Sequence, residues 1–233
     1  MSVNVAKGVF ITGTDTGIGK TVVSCLLMDA LVNEGEGNKV IGMKPIASGA
    51  EKINGTLKND DAMELSKHAN VDVPYQLINP YCFEPSIAPH IAAQQSNQQI
   101  DLSTIETSYD VLSKEADWII VEGVGGWSVP VNEKETLADI PSRLNLPVVL
   151  VVGMKLGCIN HALLTAEVVR KSGNNLIGWI ANQIDPEMSA YDENLNTLKE
   201  MLGCPMLAQI PYLKGEQNDP NQPININLNI LKS

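Results

Sequence analysis

Apolar residues fall along this chain in two alternating patterns. Short Val- and Ile-rich runs, apolar at successive positions, are separated by longer stretches in which apolar residues recur at helical spacing. The runs predict strands over 8–12, 40–44, 118–122, 148–153, 176–181 and 206–210. The helical spacing predicts helices over 20–33, 60–68, 103–115, 137–144, 160–172 and 190–202, with Gly35, Gly173 and Gly203 as stop signals. Runs such as "WIIVEG" and "VVLVVG" are apolar on both faces, as strands are when helices cover both sides of a parallel sheet. The expected class is therefore α/β, a mostly parallel sheet with helices on both faces. The stretch 71–99, rich in Pro, Asn and Gln, reads as a long surface loop, and the polar tail from Gly215 gives only a weak strand signal.

Composition narrows the picture. A length of 233 residues suits one core, so 1–233 is read as a single domain. A hydrophobic share of 44% with no repetitive stretch points to a compact fold. The balance of 16 Lys+Arg against 27 Asp+Glu leaves a charge of -11, which repels phosphate backbones and anionic lipid, so neither nucleic acid nor membrane is an expected partner. The first apolar run, Val9-Phe10-Ile11, is too short for a signal core, and the run from Val148 to Val152 is too short to span a bilayer, so a cytoplasmic location is expected. Cys25, Cys82, Cys158 and Cys204 are scattered without ligand or framework spacing and read as free thiols.

The chemistry begins in "FITGTDTGIGKT". A strand, a glycine-rich turn and Gly19-Lys20-Thr21 opening a helix form the arrangement that cradles nucleotide phosphates. Loop N–H groups and the helix dipole point at the phosphate oxygens, and Gly17 and Gly19 allow the backbone to approach. Lys20 supplies a cation and Thr21 a hydroxyl for Mg²⁺. The loop departs from the usual G-x-x-x-x-G-K-T string: Thr14 stands at its first glycine, with the glycine one place earlier at Gly13. A dinucleotide-binding turn fits less well, because its fingerprint lacks Lys-Thr at the helix start.

In open parallel sheets, ligands gather at the carboxyl ends of the strands. Glu122 ends "WIIV" and precedes Gly123, with Gly125-Gly126 just beyond; it reads as a carboxylate orienting Mg²⁺ or as a solvated strand-end acid. Lys44 ends the strand in "VIGMKPIASG", where a second lysine beside Lys20 would stabilise charge on a transferring phosphoryl group. Asp60-Asp61 opens a helix, so dipole stabilisation and metal binding both explain it. In "LGCINHA" the spacing of Cys158, Asn160 and His161 is too sparse for zinc, and a helix start with Asn160 near its cap is the simpler reading.

Taken together, "GTDTGIGKT", "GMKPIASG", "NDDA", "VEGVGGW", "VVGMKLGCINHALLT", "GWIANQ" and "IPYL" resemble the dethiobiotin synthetase family from Phe10 to about Leu213. The resemblance implies a homodimeric P-loop NTPase-type fold that joins CO₂ to 7,8-diaminononanoate, with ATP as co-substrate and Mg²⁺ as cofactor, yielding dethiobiotin, ADP and phosphate. One amine captures CO₂ as a carbamate, whose oxygen attacks the γ-phosphate to give a carbamic-phosphoric anhydride; the second amine then closes the cyclic urea and expels phosphate. Lys20 and Lys44 match the family's catalytic lysines, and Thr21, Asp61 and Glu122 its Mg²⁺ ligands. Thr16 and Ser48 match positions beside the carbamate or substrate. Gly17, Ile18, Gly19, Lys20, Thr21 and Val22, with Asp61 and Glu122, Gly123, Val124 and Gly125, match the nucleotide site. Asn182 matches the residue that reads the adenine edge, next to Gln183, with Pro211, Tyr212 and Leu213 along the base. Leu156, Gly157 and Asn160 resemble a segment that reaches the substrate carboxylate from the other subunit. Two departures bear on tail affinity and nucleotide preference: Gly17 stands where some relatives carry an acid, and Asn194 falls near an expected tyrosine.

Two rival classes share the loop. A partition- or scaffold-type ATPase switches partners instead of making a product, but its kind carries an extra lysine early in the loop, and none stands between Gly13 and Lys20. An amidotransferase module needs a glutaminase partner domain, for which the chain is too short.

Overall fold

The computed structural model describes residues 6–35, 37–213 and 224–232. The chain begins with β1 (Lys7–Gly13), α1 (Lys20–Glu34), β2 (Val40–Met43), β3 (Ile46–Ser48), β4 (Glu51–Ile53), β5 (Thr56–Lys58) and α2 (Asp60–His68). It continues through α3 (Tyr75–Ile78), β6 (Tyr81–Phe83), α4 (Pro89–Gln95), α5 (Leu102–Leu112), β7 (Trp118–Glu122) and α6 (Asp139–Leu144). It closes with β8 (Val148–Met154), α7 (Cys158–Lys171), β9 (Leu176–Gln183), α8 (Tyr191–Met201), β10 (Met206–Ile210) and a 3-10 turn over Leu228–Lys232. All six strands expected from the sequence join one sheet in the order β10-β9-β8-β1-β7-β2, and every pairing in it is parallel.

The alternation of side chains along a strand splits the interior in two. Phe10, Ile119, Val121, Leu150 and Val152 face one core, closed by Leu102, Ile105 and Leu112 of α5, Ala162, Ala166 and Val169 of α7, and Leu195 and Leu198 of α8. Val9, Ile11, Ile120, Val149 and Val151 face the other, closed by Val23, Leu27 and Leu31 of α1 and Leu65 of α2. Both faces of β8 are thus fully buried, which is why its sequence shows no polar alternation. Neither core can form until the strands are paired, so the polar ends of β1, β2, β7 and β9 are fixed together on one edge.

The structure corrects three expectations and adds one hairpin that the sequence reading left unassigned. The 71–99 stretch is not a bare loop: it holds α3, β6 and α4, with Pro89 in the first turn of α4 and β6 paired in parallel with β3 outside the main sheet. Its Pro and Asn residues act as helix-start and turn residues, and its short elements are held by packing against the first core. β4 and β5 form an antiparallel hairpin around Asn54 (φ 50°) and Gly55 (φ 83°), an Asn-Gly signal that favours such turns. α7 begins at Cys158, two residues before the expected start; Gly157, in a left-handed conformation (φ 91°), is its cap, not Asn160. The tail expectation falls partly outside the described residues. Where the tail is described, 224–227 form no strand, and Leu228 and Leu231 bury against the second core.

Candidate active site

The phosphate-type loop leaves β1 at Gly13 and enters α1 at Lys20. It turns through Gly17 (φ 71°) and Gly19 (φ 83°), two left-handed residues that a side chain would strain. A Cβ on Gly19 would also lie 2.3 Å from Nδ2 of Asn182. Among the described residues, no protein acceptor receives the backbone N–H groups of Gly17 to Val22. The loop therefore presents a row of open donors at a helix N-terminus, a ready anion cradle.

Lys20 is buried, with 7% of its surface exposed, and its Nζ donates to the Asp15 carbonyl at 2.9 Å. Burial, and then the Lys44 ammonium, push Lys20 down to about 8, against the pull of Glu122, Asp61 and Asp15. Lys44, just past β2, lies in a different setting. Its Nζ donates to Glu122 Oε1 at 2.5 Å, to Asp61 Oδ2 at 2.8 Å and to the Gly123 carbonyl at 3.1 Å. Burial pulls its pKa down, yet Glu122 and Asp61 outweigh burial and hold the ammonium above the ordinary lysine range. For Asp61, burial raises the pKa but Lys44, the Thr21 hydroxyl and Lys20 more than reverse it, so the carboxyl sits below its usual range.

Thr21 Oγ1 donates to the same Glu122 oxygen at 2.9 Å. Thr21, Lys44, Asp61 and Glu122, from four separate segments of sequence, thus form one cluster, with Lys20 near enough to influence its charges. Glu122 is fully buried, and its other oxygen, Oε2, has no partner among the described residues. The donor set fits magnesium, which takes oxygen ligands and uses one or two carboxylates beside substrate phosphates. A buried carboxylate oxygen without a partner is also the kind of group a cation would satisfy.

Thr16 and Ser48 line one open cavity of about 370 Å³ together with Val124, Gly125, Val129 and Ser86. Asn182, next to last in β9, pairs with Ile210 at the end of β10, so Gln183, which ends β9, and Pro211, Tyr212 and Leu213, which follow β10, leave the same edge of the sheet. Val22 is 42% exposed on α1. Leu156, Gly157 and Asn160 are exposed at the start of α7 and do not line the Thr16–Ser48 cavity.

Sequence reasoning missed the support beneath the lysine cluster. Asn79 Nδ2 donates to the Lys44 carbonyl at 2.7 Å, Tyr75 Oη donates to Asn79 Oδ1 at 3.2 Å, and the Asn59 N–H donates to Tyr75 Oη at 2.9 Å. Asn59 in turn caps α2, the helix that carries Asp61, by accepting from Ala62 N–H at 3.3 Å. The signal in the sequence was weak: Asn59 precedes Asp60 as caps do, but Tyr75 and Asn79 sit in a stretch whose composition reads as loop.

This sheet order, loop and carboxylate-lysine cluster define a P-loop NTPase-type α/β protein. An AAA domain family model matches residues 7–219. Solved structures of a ParA family ATPase from Chlorobium tepidum (TM-score 0.54, 14% identity, 91% of this chain and 86% of that one) and of the MinC:MinD complex from Aquifex aeolicus (TM-score 0.55, 17% identity, 89% and 82%) share the fold. Sequence relatives are more specific. The ATP-dependent dethiobiotin synthetase of Aromatoleum aromaticum is 46% identical over 91% of this chain and 93% of its own length. That of Escherichia coli K12 is 41% identical over 97% and 100%, and that of Pseudoalteromonas translucida 48% identical over 88% and 90%. The chain belongs to the family of ATP-dependent dethiobiotin synthetases, ligases of biotin biosynthesis.

Proposed function

We propose that the carboxyl edge of the sheet is the centre at which diaminononanoate, CO₂ and ATP become dethiobiotin, ADP and phosphate. The observation that carries this reading is the Lys44 ammonium between Asp61 and Glu122, with Thr21 on the same Glu122 oxygen. The loop amides from Gly17 to Val22, with Lys20, hold the outer phosphates of the nucleotide, and Gly123, Val124 and Gly125 close over them. Asn182, Gln183, Pro211, Tyr212 and Leu213 form the side on which the base lies. Thr21, Asp61 and Glu122 would hold Mg²⁺, which when bound neutralises charge on the phosphate oxygens.

The cavity between Thr16 and Ser48 receives the two amines and the carbamate. In that position a carbamate oxygen can attack the γ-phosphorus while the bond to the ADP oxygen breaks; the second amine then attacks the carbamoyl carbon and phosphate leaves. Lys20 and Lys44 stabilise the charge that spreads over the phosphoryl oxygens, so the protein's contribution is chiefly positioning and electrostatics.

Leu156, Gly157 and Asn160, turned away from the cavity of their own chain, act on the cavity of a second subunit. α7 supports that dimer by presenting Leu164 (59% exposed) and Val168 (42%) to solvent, with Leu156 (91%) just before it. No helix of the described residues is long and apolar enough to cross a membrane. The test is to incubate the protein with diaminononanoate, bicarbonate, ATP and Mg²⁺ and follow the products by mass spectrometry. A cyclic urea of dethiobiotin mass is expected; phosphate release without it would replace the synthetase reading by that of a switch ATPase.

A further inference from the structure

A phosphate cradle needs its amides turned inward and its carbonyls turned away, because an inward carbonyl would repel the anion. The loop disposes of two such carbonyls by different means. Lys20 takes that of Asp15 from within the loop. The carbonyl of Ile18 is taken from outside, by Asn182 Nδ2 at 2.7 Å across 164 positions of sequence.

Asn182 is well placed for this. It is only 6% exposed, and its backbone is in register with Gly153 of β8 on one side and Ile210 of β10 on the other. The Ile18 side chain is fully buried, and a Cβ on Gly153 would come within 2.6 Å of its Cγ2, so the loop is gripped from both its side chain and its carbonyl. The same amide nitrogen crowds the place where a Cβ of Gly19 would be. Two adjacent loop residues thus take their positions from β8 and β9.

We propose that Asn182 is a positioning residue for the phosphate-binding loop, holding the Ile18 carbonyl outside the cradle so that the donors from Gly17 to Val22 converge on the phosphates. This goes beyond contact with the base and rests on the reading of the loop as the phosphate site. A side chain that only touches the base affects capture of the nucleotide; one that sets the loop also affects the phosphoryl step and the binding of phosphate that carries no base. The amide has a second end, Oδ1, for a donor on the ligand, so one side chain ties base recognition to loop geometry.

The probe is inorganic tripolyphosphate with Mg²⁺, titrated calorimetrically into the unmodified protein, Asn182→Ala and Asn182→Leu, alongside kcat and KM for ATP. Loss of one buried hydrogen bond predicts tripolyphosphate binding weaker by about five- to tenfold in Asn182→Ala, with kcat at saturating ATP lowered to a similar degree. Asn182→Leu keeps nearly the same shape and removes the donors without adding charge, so it should lose about as much, and it carries the test should the alanine variant fold poorly. Unchanged tripolyphosphate affinity and kcat, with only KM for ATP raised, would overturn the proposal and leave the site reading standing. An unmodified protein that makes no dethiobiotin and binds no tripolyphosphate would remove both.

Discussion

Two buried lysines stand at the same edge of the sheet, and their surroundings give them opposite electrical characters. Lys20 emerges from a loop whose open groups are N–H donors, and it makes its own hydrogen bond to a neutral carbonyl. Lys44 sits against two carboxylates. Burial acts on both, but only Lys44 has enough negative charge in contact to overcome it, so Lys20 titrates near 8 while Lys44 stays charged well beyond. One lysine belongs to an electropositive cradle awaiting an anion. The other belongs to a group already balanced without one. Removing each should therefore have different consequences, although both are proposed to act on the same phosphoryl group.

The largest effect separates them most clearly. Lys44→Ala leaves Glu122 fully buried beside Asp61 without a cation, and breaking a buried pair from one side costs about 3–5 kcal/mol, less here because Asp61 is partly exposed. Denaturant unfolding should show that loss, and Mg²⁺ should restore part of it by supplying charge to the same oxygens. Turnover should fall by about 10²–10³, the range for losing one group that stabilises transition-state charge, while ATP binding stays largely intact. Lys20→Ala should show the reverse pattern: ATP binding fails, and the nucleotide-free protein keeps or gains stability. Equal stability losses in the two variants, measured without nucleotide, would show that their surroundings are not different in kind.

The second test uses pH. The unfolded chain holds the Lys20 proton to about 10.4, the folded chain only to about 8, so between those values the unfolded state binds more protons and stability rises with pH. The slope from this one group is at most about 1.4 kcal/mol per pH unit. Lys44 contributes nothing there, since its folded pKa is raised; its stabilisation is complete below the unfolded value and fades only as pH climbs through the folded one. Buried Cys25 and Tyr109 and half-buried Tyr75, each pushed up to about 12 by burial, act oppositely at alkaline pH. The difference between the unmodified protein and Lys20→Met isolates Lys20: the unmodified protein should gain on the variant from pH 8 to 10. Over the same range tripolyphosphate should bind the unmodified protein progressively less well, because the neutral amine no longer attracts it. A pH-independent difference would place Lys20 outside the buried setting described above.

The two lysine settings were not equally legible in the sequence. The loop is a contiguous string, so its glycines, Lys20 and Thr21 announce both conformation and chemistry, and the strands around it show as doubly apolar runs because helices bury both their faces. Lys44, Asp61 and Glu122 could be singled out as strand-end or helix-start residues, but only the parallel pairing of β2 with β7 puts Lys44 within 2.5 Å of Glu122. The elements behind Lys44 were hidden for a physical reason. α3 is four residues long and β6 three, too short for periodicity to register, and they persist because Ile78 and Phe83 are buried by other parts of the chain. Nothing local at Asn79-Pro80 reveals that the Asn79 side chain grips the Lys44 carbonyl.

That support offers the smallest and most pointed test. Tyr75 Oη accepts from the Asn59 N–H and donates to Asn79 Oδ1, linking the cap of the helix that bears Asp61 to the segment that bears Lys44. Tyr75→Phe deletes one oxygen, leaves the ring in place and strands a donor and an acceptor, a change expected to cost about 1–2 kcal/mol. If the network merely stabilises the fold, that loss is the whole effect, and kcat at a temperature far below unfolding is unchanged. If it sets the distance between Lys44 and Asp61, kcat should drop several-fold while tripolyphosphate affinity, which depends on the separately anchored Lys20 loop, stays as it was. A fall in both kcat and tripolyphosphate affinity would show that the two lysine settings are mechanically one.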